Sequence, residues 1–102
     1  MIIERNVFRL KFGKAKESIA IWKEILDAAR KTNLKAPEMR VLSDISGSAY
    51  TLVVEMHIAG FNDINPKNAI WATTEKFQEL YQKFIPLCES ANREYYKIEA
   101  II

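Results

Sequence analysis

The sequence predicts one α+β domain of 102 residues, with elements in the order strand, helix, strand, strand, helix, strand. Three observations carry that prediction. Apolar residues alternate at a period of two in four segments, as in strands with one buried face. In two longer segments they recur at steps of three and four, as in amphipathic helices. Glycine or proline stands near the joints, where the chain has to change direction.

The first strand is predicted over Ile2 to Phe12, with Phe8, Leu10 and Phe12 on one parity and Arg9 and Lys11 on the other. Gly13 ends it. From Lys14 to about Lys31 the stripe Ala15, Ile19, Trp22, Leu26 and Ala29 defines a helix whose other face is charged. Asn33 and Pro37 mark its exit, because proline and its predecessor resist helical geometry. Met39 to Ile45 is a short second strand, and Ser46-Gly47-Ser48 a hairpin-sized turn in which glycine takes a positive φ. Tyr50 to Ala59 is the third strand, β-branched and apolar, stopped by Gly60.

Asn65-Pro66 has the form of an N-cap followed by proline in the first helical turn. The stripe Ile70, Thr73, Phe77, Leu80, Phe84 and Leu87 then predicts a second helix, ended or kinked near Pro86. Phe77 falls mid-stripe, so it is expected in the core; Trp71 falls off the stripe. Arg93 to Ile102 is the closing strand, with Tyr96, Ile98, Ala100 and Ile102 alternating against Arg93, Tyr95, Lys97 and Glu99.

This order is the split β-α-β pattern of the ferredoxin-like fold, a four-stranded antiparallel sheet with both helices on one face. No repeat, linker or low-complexity tract divides the chain, so residues 1–102 are expected to form a single domain. Parity assigns Phe8, Leu10, Leu52, Val54, Met56, Ile58, Tyr96 and Ile98 to the helix-covered face. The opposite face then carries Arg5, Val7, Arg9, Thr51, Val53, Glu55, His57, Tyr95, Lys97 and Glu99. That set is too apolar for a solvated surface and too charged for a dry core. It fits cross-strand ion pairs in water, each worth about 0.2–1 kcal/mol. It also fits a second copy packed sheet to sheet around a polar-lined cavity. Size favours this homodimer, since a chain of about 100 residues buries only about two thirds of its unfolded surface by itself.

Composition excludes several classes. At 49% hydrophobic and 27% charged, the chain is neither a disordered tail nor a collagen-like repeat. Fifteen basic and 13 acidic residues give a net charge of +2, too balanced to predict nucleic acid or a membrane surface as partner. No apolar run is long enough to span a bilayer, and Met1-Ile2-Ile3 is followed at once by Glu4-Arg5. The one cysteine, Cys88, cannot form an intrachain disulfide, which predicts a reducing cytoplasm. One cysteine and one histidine cannot build a zinc site from those types within one chain. Neither metal nor cofactor is expected.

The segment Phe8-Arg9-Leu10-Lys11-Phe12-Gly13-Lys14-Ala15 is a strand-to-helix entry. Phe84-Ile85-Pro86-Leu87-Cys88-Glu89-Ser90, leading to Arg93-Glu94-Tyr95-Tyr96, is the matching helix-to-strand exit. On these segments, and over its full length, the chain resembles the dimeric α/β-barrel superfamily and, within it, small NIPSNAP-like proteins. The resemblance implies two ferredoxin-like protomers closing an eight-stranded barrel. It implies no single function, because the superfamily ranges from monooxygenases to haem-handling enzymes to proteins of unknown role.

His57 is the side chain that titrates nearest neutrality, two residues from Glu55 on the same strand face. The pair reads either as a general base with its carboxylate or as a packed, hydrogen-bonded interface element. Arg9, Glu55, Lys97 and Glu99 read as a cavity for an anion or carboxylate, or as cross-strand pairs setting dimer register. Tyr95 could stack on a ligand or serve only as an interface aromatic. Asn6 and Trp71 invite comparison with haem-degrading monooxygenases of the superfamily, which use an asparagine on the first strand and a tryptophan and a histidine on a helix. This chain lacks the helical histidine. RNA-recognition domains share the topology but need stacking aromatics where this sheet has Val7, Arg9, Val53, Glu55 and His57. Trp22 and Cys88 suit buried packing positions.

The function expected is that of a cytoplasmic homodimeric barrel that binds a small molecule or serves a structural role. The alternative is a cofactor-independent monooxygenase of the antibiotic-biosynthesis type or a related small-molecule enzyme.

Overall fold

The computed structural model describes residues 1–32, 36–64 and 70–102. Its elements are β1 (Ile2–Leu10), α1 (Ala15–Lys31), β2 (Glu38–Ser43), β3 (Thr51–Ile58), α2 (Glu75–Phe84) and β4 (Cys88–Lys97). Short 3₁₀ turns at Phe61–Ile64, Ile70–Thr73 and Ile85–Leu87 join them. The strands form one antiparallel sheet in the order β2-β3-β1-β4, which puts β1 and β3 at its centre. The chain is an α+β ferredoxin-like domain, as the order of segments predicts. The predicted exit residue Asn33 and the predicted cap Asn65-Pro66 lie outside the described residues.

The core forms where the apolar parity of β1 and β3 meets the helix stripes. Phe8, Leu10, Leu52 and Val54 from the sheet pack against Trp22 and Ile25 of α1 and Leu80 and Phe84 of α2. Phe84 meets Phe8 edge-on at 4.8 Å between ring centroids and Trp22 at 5.5 Å. Gly13 (φ +79) takes the left-handed conformation that lets the chain turn from β1 into α1. Gly47 (φ +94) does so in the predicted turn. Phe12 lies beyond the end of β1 and is exposed rather than inward.

Two elements differ from expectation. The second helix begins later than the apolar stripe suggests, at Glu75, capped by Thr74, whose side chain accepts a hydrogen bond from the Phe77 amide at 3.3 Å. The preceding 3₁₀ turn buries Trp71 and exposes Ile70. Phe77 is half-buried, not a central core residue. Pro86 acts as predicted: α2 stops at Phe84 and a 3₁₀ turn carries the proline.

The closing strand starts five residues earlier than predicted and its alternation is inverted. Leu10 pairs with Cys88 but Arg9 pairs with Ser90, so Glu89 is an extra residue in the ladder. This bulge flips every later side chain to the other face. Tyr95 and Arg93 therefore stand beside Glu4 and Asn6 on the helix side, and Tyr96 beside Ile3 on the open side. Lys97, opposite Ile2, shares the parity of Tyr95, while Glu99 and Ile98 lie past the strand. No helix among the described residues is long and apolar enough to cross a membrane.

Candidate functional site

On the helix side, the sheet and α2 leave a cleft of about 480 Å³. Its floor is the inward row of β1, Glu4, Asn6 and Phe8, flanked by Arg93 and Tyr95 of β4. Val54, Met56 and Ile58 of β3 extend the floor on the other side. The wall facing them is a run of rings. Trp71 meets Phe77 edge-on at 5.4 Å, Phe77 stacks with Tyr81 at 5.6 Å, and Tyr81 meets Trp22 edge-on at 6.2 Å. Both tryptophans of the chain thus line one cleft. The volume is that of a site for a small organic molecule.

One cluster of polar groups in this cleft gathers around Glu4. Glu4 is 4% exposed, although it sits on a central strand where an apolar residue would pack. Its Oε1 is 3.2 Å from Arg93 Nε and accepts a long hydrogen bond from the Tyr95 hydroxyl at 3.5 Å. Arg93 Nε donates at 2.8 Å to Asn6 Oδ1, so the ion pair is held in place from a second strand position. Glu4 Oε2 is buried with no hydrogen-bond partner among the described residues, and so is Trp22 Nε1. Burial pushes the Tyr81 hydroxyl pKa up, Arg93 pulls it down and Cys88 adds to the rise. Tyr81 accordingly stays a neutral phenol on the cleft wall. Burial likewise pushes the Cys88 thiol to about 11, with Lys11 acting the other way.

The residues singled out in the sequence divide between the two faces. Arg9, Glu55 and His57 stand on the open face. Glu55 is buried there between two guanidinium groups, with Arg5 Nε 3.3 Å from Oε2 and Arg40 Nη2 bonded to Oε1. His57 lies two residues along β3 from it, and its Nε2 is buried without a hydrogen-bond partner among the described residues. Arg9 borders a shallow depression with Val7, Leu42 and Val53. Tyr95 belongs to the cleft instead, edge-on to Phe61 at 5.4 Å, which corrects its expected place beside His57. Lys97 is exposed and pairs with Glu99 at 3.8 Å, away from both Glu55 and His57. Glu4, Arg93 and Tyr81 were not singled out. Glu4 alone carried a legible signal, a carboxylate on the apolar parity of the first strand.

Asn6 and Trp71, compared above with haem-degrading enzymes, do line the same cleft. The chain's one histidine is on the opposite face of the sheet, so the cleft offers no imidazole to a haem iron.

No family model matches the sequence, and no curated protein matches it. Solved structures do match. An uncharacterised NIPSNAP domain protein from Burkholderia xenovorans superimposes with a TM-score of 0.81 at 16% identity, over 100% of this chain and 98% of that one. The chain has a NIPSNAP-like, ferredoxin-like fold. A second NIPSNAP family protein, from Agrobacterium tumefaciens, shares this NIPSNAP-like fold with a TM-score of 0.74 at 18% identity, over 93% of this chain and 82% of that one. A proposed antibiotic biosynthesis monooxygenase from Nitrosomonas europaea matches at 0.71 and 11% identity, over 98% of this chain and 100% of that one.

Proposed function

We propose that this protein binds a small, largely apolar organic molecule in the cleft between the sheet and α2. The observation that carries the reading is the aromatic wall of Trp71, Phe77, Tyr81 and Trp22 facing a floor that holds the buried Glu4 carboxylate. A core built only for stability would place an apolar residue at position 4, because burying a charge is costly unless its partners are complete. Intrinsic fluorescence reports on the site directly, since both tryptophans line it. Planar aromatic compounds screened by tryptophan-detected melting should include some that raise the Tm by several degrees at saturation. Ala72→Phe, which fills the cleft from its rim, should abolish those shifts. A panel without shifts, or shifts unchanged in the variant, would refute ligand binding here.

The protein is proposed to work as a cytoplasmic homodimer joined through the open sheet face. Ile3, Val7, Leu42 and Val53 make that face partly apolar around the Arg5–Glu55–Arg40 cluster, and no helix among the described residues covers it. Light scattering at micromolar concentration should give twice the protomer mass; the protomer mass alone would sink the dimer.

A catalytic reading as a cofactor-independent monooxygenase has one supporting observation. Glu4, a residue lining this aromatic-walled cleft, carries a buried carboxylate oxygen without a hydrogen-bond partner among the described residues. Oxygen consumption with a cleft-binding phenol, lost in Glu4→Met, is the result that would favour it.

A further inference from the structure

We propose that the cleft selects, within the ligand class above, an uncharged aromatic carbonyl compound whose oxygen accepts hydrogen bonds from the Arg93 guanidinium and the Tyr81 hydroxyl. The inference rests on the cleft being a ligand site. It adds which groups read the ligand and what charge the ligand carries.

Both residues line the cleft, and both keep their donors accessible. The Arg93 side chain is 61% exposed and is held through one atom. Its contacts with Asn6 Oδ1 and Glu4 Oε1 run from Nε, and among the described residues neither Nη makes a hydrogen bond. A guanidinium carries its N–H donors in one plane, so fixing Nε orients the Nη groups while leaving them for solvent or a ligand. The Tyr81 hydroxyl also makes no hydrogen bond among the described residues, yet it is not one of the unpartnered atoms shut away from water. Its ring is fixed by stacking on Phe77 at 5.6 Å and by the edge-on contact with Trp22 at 6.2 Å. Burial raises the pKa of that hydroxyl, and Arg93 lies close enough for its charge to act against the rise. As a neutral phenol Tyr81 donates, and two neighbouring donors suit a carbonyl oxygen, which has two lone pairs.

The charge of the lining sets the kind of acceptor. Among the described residues it holds two carboxylates, Glu4 and Asp63, and one guanidinium, Arg93. Arg93 is already the counter-charge of Glu4. A ligand carboxylate would bring a further negative charge with no cation left to offset it, whereas a carbonyl accepts the same hydrogen bonds uncharged. The rings of Trp71 and Phe77 continue the wall, so the rest of the ligand is expected to be flat and apolar.

Acetylnaphthalene, ethylnaphthalene and naphthoate, substituted at the same ring position, share a shape and differ in the acceptor. The first carries a neutral one, the second none and the third a charged one. Equilibrium dialysis with the wild-type protein should rank the ketone about tenfold above the ethyl compound, because only the ketone engages the charged donor. The ketone should also exceed the carboxylate several-fold. Tyr81→Phe keeps the ring wall and removes one donor, so it should cut the ketone's advantage over the ethyl compound several-fold and leave ethylnaphthalene binding unchanged. Tyr95→Phe is the control, because the Tyr95 hydroxyl is directed at Glu4, and the wild-type ranking should persist in it. The comparison of the three compounds on wild-type protein stands even where a variant folds poorly. Equal affinities for the ketone and the ethyl compound would overturn the proposal and leave ligand binding in the cleft intact. A carboxylate that binds as tightly as the ketone would overturn the uncharged class. No binding of the ketone would overturn the proposal outright, while the wider aromatic panel decides separately whether the cleft binds at all.

Discussion

Truncating Phe84 to alanine tests the packing that shapes both the core and one wall of the cleft. The side chain is 0% exposed and touches three other rings. Burying a phenylalanine fully is worth about 1.5–3 kcal/mol in transfer alone. The cavity left by its removal brings the usual cost to about 3–5 kcal/mol. Edge-on contacts with Phe8 and Trp22, each worth about 0.5–1.5 kcal/mol, push the expected loss to the top of that range. A loss of about 4–5 kcal/mol is a large share of the roughly 5–15 kcal/mol that stabilises a typical domain. For a chain near 100 residues it lowers the Tm by roughly 20–30 °C. Phe77→Ala is the control. Phe77 is half-buried beside open cleft space, so water can fill the vacancy and the expected loss is about 1–2 kcal/mol. Urea titrations followed by circular dichroism at one fixed protein concentration give both values, with unchanged slopes showing that the comparison is sound. A loss for Phe77→Ala equal to or above that for Phe84→Ala would refute the placement of α2 on the sheet.

Four further outcomes are expected. Cys88, half-buried and with its thiol pushed up to about 11, should react slowly with a thiol reagent at pH 8 in native protein and faster in denaturant; equal rates would contradict the raised thiol pKa. Because the unfolded thiol loses its proton near 9.0, the unfolded state binds fewer protons between there and 11, so stability should fall as pH rises through that window. Glu55→Gln leaves Arg5 and Arg40 facing each other without their shared counter-charge. Discounted for the partial exposure of both guanidiniums, the cost should be about 1–2 kcal/mol and should shrink at high salt. His57→Gln should keep the fold with a change of no more than about 1–2 kcal/mol in urea titrations, because glutamine retains hydrogen-bonding capacity; a larger loss would assign His57 a partner that the protomer alone lacks.

The order of elements, the central position of β1 and β3 and the inward rows Phe8–Leu10 and Leu52–Val54 were legible in the sequence. Side-chain direction in a regular strand or helix follows a fixed period, so local pattern carries that information. The Pro86 stop was legible for a similar reason, since a missing N–H and a fixed φ act wherever the chain goes.

What only the tertiary structure decided begins at Glu89. One extra residue in the β1–β4 ladder reverses the alternation, and apolar content alone favoured Tyr96 as the inward residue. On this edge strand the inward row is instead Ala91, Arg93 and Tyr95, which is where the cleft obtains the partners of Glu4. The start of α2 was decided in the same way. A 3₁₀ turn and an α-helix share spacings of three, so Ile70 and Thr73 fitted a stripe that the chain does not continue, and Trp71 turned inward. The pairing of Glu4 with Arg93 joins residues 89 positions apart, and local periodicity holds no record of such a contact. Sequence determined which faces are apolar, because that depends on neighbours along the chain. Tertiary structure decided which polar groups meet in the cleft, because that depends on strand register.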